Sequence, residues 1–361
     1  MPIDLRAQKL AKLVVKYSVF VKPNENVVIS GSTEAQDFII ALYKEVLLAG
    51  GHPILKISFP GLNPFFYKHA QKHQIEKFPD HLDYTVKNAQ KYIGIDTESN
   101  TRELTYCNPK KITARQKIVY PISDYVVNQK DKIRRCTVGF PCTALAQDAE
   151  MSDFEYEAFV YDACLQDWKK LGKKIDKILN RFKKGKHVHL IGKNVDLKFD
   201  IHGKEAAADK GEENMPGGEI FMAPVRETAQ GWIKFDYPAI RDGKEVTDIE
   251  LRFKDGKVIE AKSSKNQDFL IEMLKTDANS SFIGELGIGL NPKVTKFTKN
   301  LLFDEKIDGT IHLALGMAYK ENLPQGMKRD SAIHWDIVKD MHKGKIILDG
   351  KVVQNNGKWR A

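Results

Sequence analysis

The feature that most constrains this chain is a change of rhythm near its midpoint. Up to about residue 182, apolar segments alternate between helical and strand spacing; beyond it they recur as short strands separated by turn residues. NVVIS (26–30) is followed by DFIIALYKEVLLAG (37–50) and PILKISF (53–59), with Gly50 and Gly51 stopping the helix before Pro53 opens a strand. KYIGI (91–95) and CTVGF (136–140) continue this βαβ order. It predicts an α/β N-terminal domain built on an open, mostly parallel sheet. Residues 153–182 keep helical spacing throughout, with Gly172 as the weak point, and predict a connecting helix that closes a domain of residues 1–182.

The second half reads differently. HVHLIG, DLKFDIHG, GGEIFMAP, GWIKFDYP, DIELRFKDGKVIEAKS and KIILDGKVVQNNGKW are strand patterns, and Asp255-Gly256 and Asp349-Gly350 have the composition of tight hairpin turns. Only QDFLIEMLKTD (267–277) reads as a long helix here. Residues 183–361 therefore predict a strand-rich α+β domain, a partly closed barrel. Two domains also suit 361 residues, which is long for one core.

Composition excludes several classes. The net charge of +9 comes from dispersed lysines with one cluster at 169–186, and no aromatic-interleaved patch accompanies it, so no nucleic-acid partner is expected. No uncharged apolar stretch of about 18 residues occurs, which argues against a membrane span. The N-terminus lacks a secretory pattern, so the expected location is the cytoplasm. Cys107, Cys136, Cys142 and Cys164 show no CxxC spacing and predict reduced thiols; Cys142 alone lies beside a possible helix start. SGSTEAQD (30–37) lies between a strand and a helix, where backbone N–H groups cradle anions, but it has neither GxGxxG nor a P-loop Lys-Ser/Thr pair. A helix cap by Ser32 or Thr33 is the plainer reading, and no cofactor is assigned there. A nucleotide-binding or transferase protein using this turn is the alternative function.

The chemistry concentrates downstream. In AIHWDIV (332–338), a strand's period of two puts His334 and Asp336 on one face about 7 Å apart, with Trp335 opposite. An inward His and Asp call for a cation. TIHLALGMAY (310–319) adds His312, which taken alone reads more plainly as a buried histidine satisfied by a backbone hydrogen bond. Glu219 in MPGGEIFMAP and Glu285 in SFIGELGIGLNP occupy apolar, glycine-flanked settings unusual for an acid, although two edge-strand glutamates facing water would fit as well. Three carboxylates and two imidazoles suit a pair of Zn, Co or Mn ions better than calcium or a thiolate-bound structural zinc. Arg226 in APVRET is left outside the site.

At these residues the chain resembles the M29 peptidases, the aminopeptidase T family, over nearly its whole length. GGEIFMAP and IGELGIG resemble the family's two glutamate segments, LLFDEKIDGTIHLALGMAY its histidine followed seven residues later by a functional tyrosine, and IHWD its histidine-x-aspartate. LFDEKIDG departs from the asparagine-containing turn expected before the histidine. The resemblance implies a homodimer acting on peptides, with metal ligands Glu219, Glu285, His312, His334 and Asp336. It implies a metal-dependent aminopeptidase in which water held between two metals, acidified to hydroxide, attacks the first peptide bond. Tyr319 would then donate to the oxyanion, and Glu285, or Glu219 in its place, would also carry the proton.

Overall fold

The computed structural model describes residues 3–241 and 243–360. The chain forms two compact units: one takes the residues up to Gln166 together with Gly211–Gly217, the other Asp167–Lys210 and everything from Gly218 onward.

In the first unit, β1 (Asn26–Ser32), β2 (His52–Ser58), β3 (Lys91–Asp96) and β4 (Arg134–Gly139) form a sheet in the order β2-β1-β3-β4, and all pairs are parallel. Parallel strands are covered on both faces, which is why β1 carries three consecutive buried residues, Val27, Val28 and Ile29. The helix Gln36–Leu48 buries Phe38, Ile39, Leu42 and Val46 along one stripe, each side chain contributing about 1.5–3 kcal/mol by burial. Its approach is set by Ser32, whose hydroxyl accepts from the Glu34 N–H at 3.1 Å and starts the short turn Thr33–Ala35, in keeping with the expected cap. Ser30 and Ser32 also line an open cavity of about 520 Å³ with Lys56, Asp96 and Thr97. The four cysteines form no disulfide, and the Cys142 thiol donates to the Glu98 carbonyl at 3.0 Å.

In the second unit, β5 (His187–Gly192), β6 (Val195–Asp200) and β7 (Ala207–Asp209) come first. The chain then returns to the first unit for β8 (Asn214–Met215), which adds a fifth parallel strand beside β4. The remaining strands are β9 (Glu219–Met222), β10 (Gln230–Lys234), β11 (Ala239–Arg241), β12 (Lys244–Val246), β13 (Glu250–Lys254), β14 (Lys257–Lys262), β15 (Ile283–Gly289), β16 (Thr310–Gly316), β17 (His334–Asp340), β18 (Gly344–Leu348), β19 (Lys351–Asn355) and β20 (Lys358–Trp359). They pair antiparallel in an eight-stranded sheet, β14-β13-β10-β6-β5-β18-β19-β20, a five-stranded sheet, β17-β16-β15-β9-β7, and the small ribbon β11-β12. The hairpins at Asp255-Gly256 (φ 49° and 79°) and Asp349-Gly350 (φ 48° and 79°) have two successive left-handed residues, as expected of such pairs.

Two expectations change. No sheet closes on itself among the described residues, so the strand-rich part consists of open sheets and not of a partly closed barrel. The helix expected over 153–182 is two helices, Asp153–Cys164 and Trp168–Phe182. Leu165 leaves the helical region at ψ 62°, and the Asp167 carboxylate accepts from the Lys170 N–H at 3.0 Å to start the second helix. Helical periodicity survived the break because both helices bury an apolar stripe; the capping aspartate was the overlooked signal. Gly172 lies uninterrupted inside the second helix, whose Phe182 packs edge-on against Trp359.

Candidate metal centre

The five-stranded sheet gathers the acids and imidazoles by register alone. Glu219 lies opposite Gly289, His312 opposite Gly287, Glu285 opposite Ala314, Asp336 opposite Ala314 and His334 opposite Gly316. Residues directly opposite each other share a face, and so do residues two apart on one strand. Glu219, Glu285, His312, His334 and Asp336 therefore project from a single face of β9, β15, β16 and β17. Trp335 projects from the other, buried edge-on against Phe269 with ring centroids 6.0 Å apart.

The glycines of GELGIG make that face usable. A Cβ at Gly287 would run into the His312 ring, and one at Gly289 into the backbone of Ile307. The first glycine seats the imidazole; the second lets the segment after the short helix Leu301–Asp304 cross the face and deliver Glu305 and Lys306.

Two clusters result. Glu219, Glu305 and His312 each offer a donor atom within 4.8 Å of the others, and so do Glu285, His312 and Asp336. His312 Nε2 stands 3.3 Å from Glu285 Oε1 and 3.7 Å from Glu219 Oε2. His334 adjoins the second cluster, its Nε2 3.6 Å from Asp336 Oδ2. Its Nδ1 lies 3.0 Å from the Met317 carbonyl, which only accepts, so the proton belongs on Nδ1 and the Nε2 lone pair is left toward Asp336. The Tyr319 ring lies tilted beside it, ring centroids 4.9 Å apart.

Glu305 was not among the sequence candidates. It follows a helix of four residues rather than lying in a strand, so no alternation marks it, and the charged run DEKID reads as a solvated turn. The available signal was the pair of glycines at 287 and 289, which says that something bulky lies across that face. Arg226, left out on sequence, is tied to Asn279 Oδ1 at 3.0 Å and lies 3.8 Å over the Phe282 ring.

The electrostatics are those of a cation site. Burial pushes Glu219 up to about 8 against Lys306 and His312, and Asp336 up to about 6 against His334. Burial depresses His312, but its contact with Glu285 and the charges of Glu305, Glu219 and Asp336 outweigh this and lift it to about 10. Burial raises Glu305 too, yet Lys306 and His312 prevail and hold it below the usual carboxylate range. For Tyr319, burial and the neighbouring carboxylates push the phenol well above its ordinary value, so it remains a hydrogen-bond donor. Glu219 Oε2, Glu285 Oε2, Asp336 Oδ1 and His312 Nδ1 are buried without a hydrogen-bond partner. Such atoms are costly, and a divalent ion accepting the three carboxylate oxygens removes most of that cost, so the residues fit a metal.

Comparison with known proteins identifies the family. The chain is 25% identical to aminopeptidase AmpS of Bacillus subtilis (strain 168), over 99% of this chain and 100% of that one. It is 32% identical to aminopeptidase T of Thermus thermophilus over a shorter stretch, 33% of this chain and 30% of that one. The solved structure of wild-type AmpT from Thermus thermophilus superposes with a TM-score of 0.82 at 20% identity, covering 99% of each chain. A dihydroxypyridine dioxygenase from Pseudomonas putida KT2440 shares the fold at a TM-score of 0.63 and 15% identity, over 98% of this chain and 97% of that one, so fold alone does not decide the chemistry. The nucleotide-binding alternative for the 30–37 turn finds no support among these relatives. Residues 4–359 match the thermophilic metalloproteases (M29), and the chain belongs to that family.

Proposed function

We propose that this protein is a metal-dependent aminopeptidase that removes N-terminal residues from peptides. The observation that carries this reading is the set of buried carboxylate oxygens without a hydrogen-bond partner, gathered with two imidazoles on one sheet face, and the aminopeptidase relatives supply the reaction. The donor set, oxygen and nitrogen without thiolate, favours two ions of zinc, cobalt or manganese. Glu219, Glu305 and His312 would hold one, and Glu285, His334 and Asp336 the other. We further place the enzyme in the cytoplasm, on the absence of a secretory pattern at residues 1–20, and as a homodimer, on the family resemblance; no helix among the described residues is long and apolar enough to cross a membrane.

Divalent ions, when bound, supply Lewis acidity that activates water and polarises the scissile carbonyl. The protein's own residues do the rest. Glu285 takes the proton released by the attacking water and returns it to the departing amine. Tyr319, kept protonated by its surroundings, donates to the oxygen on which negative charge develops. Binding of the substrate's free α-amino group at one metal position, or at a nearby carboxylate, would favour the first peptide bond over internal ones.

The test is a pair of substitutions. His334→Ala and Asp336→Ala should each lose bound metal by elemental analysis and lose hydrolysis of aminoacyl-p-nitroanilides, with N-blocked analogues inert to the parent enzyme. Retention of both metal and activity in both variants would sink the proposal.

A further inference from the structure

Lys306 has no part in the chemistry above, yet it is among the most deeply buried side chains of the described residues, 1% exposed. Its ammonium lies 2.8 Å from Glu219 Oε1 and 2.7 Å from Glu305 Oε2. It therefore binds one oxygen of each glutamate, while Glu219 Oε2 accepts no hydrogen bond and faces His312 Nε2 at 3.7 Å. The two proposed metal positions are otherwise alike, each offering two carboxylates and one imidazole. His312 Nε2 adjoins both clusters but has a single lone pair and serves one ion only; because His334 adjoins Asp336, His312 is the imidazole left for Glu219 and Glu305. The resident ammonium is the difference between them.

We propose that Lys306 makes the two positions unequal. The Glu285–His334–Asp336 position fills first and tightly. The Glu219–Glu305–His312 position fills second and exchangeably, because its carboxylates already share a fixed positive charge that repels an incoming dication across a short, poorly screened distance. In the metal-free protein the same ammonium keeps Glu219 and Glu305 together, so the weaker position stays assembled while empty. Occupancy of that position then follows the free metal concentration, and Lys306 sets the concentration at which it changes. This rests on the two-metal reading given under the proposed function.

The experiment is a cobalt(II) titration of the chelator-stripped full chain, followed by visible d–d absorption and by competition with a chromophoric chelator. The parent protein should bind two equivalents in steps separated by at least roughly tenfold in affinity, a typical size for an outer-shell effect. Lys306→Met should tighten the second step by about tenfold or more and leave the first in place. In the Lys306 background, Glu305→Gln should remove the weak step and His334→Ala the strong one, which keeps the idea testable even if Lys306→Met does not fold. Equal affinities in the parent protein, a second step loosened by Lys306→Met, or the reverse assignment in the Glu305 and His334 variants would overturn the proposal. A single equivalent bound by parent and Lys306→Met alike would instead overturn the two-metal reading beneath it.

Discussion

Gly287 shows how a missing side chain can define a site. Its hydrogen leaves the volume that the His312 ring fills, so Gly287→Ala should displace the imidazole. The expected outcome is a loss of metal affinity of about 10- to 100-fold with a destabilisation of about 1–3 kcal/mol, read by chelator competition and thermal unfolding. Tyr319 makes a contrasting case, because its hydroxyl has a role only once charge develops on substrate. Tyr319→Phe should keep its metal content while kcat falls about 10²- to 10³-fold; an unchanged kcat would return the residue to ordinary packing beside His334. At this scale the sequence was informative where period-two spacing applied. His334 and Asp336 could be placed on one face from IHWD alone, and acids flanked by glycine drew attention to Glu219 and Glu285. Glu305 and Lys306 were hidden because their position depends on a crossing segment whose path is set by Gly289, a long-range fact with no local pattern.

At the scale of elements, strands were easier to read than the joints between them. The strands β1 to β4 fall where apolar runs bounded by glycine, proline and polar residues put them, and the Asp-Gly pairs marked two hairpins, since the turn chemistry is carried by the residues themselves. The break at Leu165–Asp167 was missed because an amphipathic stripe continues on both sides of it. Asp167 is the test of that joint. Asp167→Ala removes the carboxylate that accepts from the Lys170 N–H, and it should cost about 1 kcal/mol, lowering the unfolding midpoint by about 1–2 °C with no change in bound metal. An unaltered midpoint would mean that packing of Trp168 and Leu171 fixes the helix start without the cap. The open ends of the two larger sheets could not be read either, since strand count and alternation are the same for a barrel and an open sheet; closure depends on register and twist summed over every pair.

For the molecule as a whole, metal and protons compete for the same groups. In the metal-free fold His312 is raised to about 10 and Asp336 to about 6, so both bind protons more firmly than in the unfolded chain. The His312 contribution to stability is complete below its unfolded value of about 6.5 and is lost as pH rises through 10; the Asp336 contribution likewise declines from about 4 to 6. The stripped protein should therefore gain progressively more thermal stability from added metal as pH rises. Metal uptake at pH 7.5 should release protons to an indicator dye, and uptake without release would remove His312 from the ligand set. The path of the chain has a separate bearing on how the protein can be handled. It enters the second unit at Asp167, returns for Gly211–Gly217, and leaves again at Gly218, one residue before Glu219. Neither unit is thus a contiguous gene fragment. A cut after Gln166 would strip β8 from the edge of the parallel sheet, and a cut after Gly217 would separate β5, β6 and β7 from the strands they pair with. Expression of the second unit alone calls for a spliced chain that joins Lys210 to Gly218, not for truncation at any single bond.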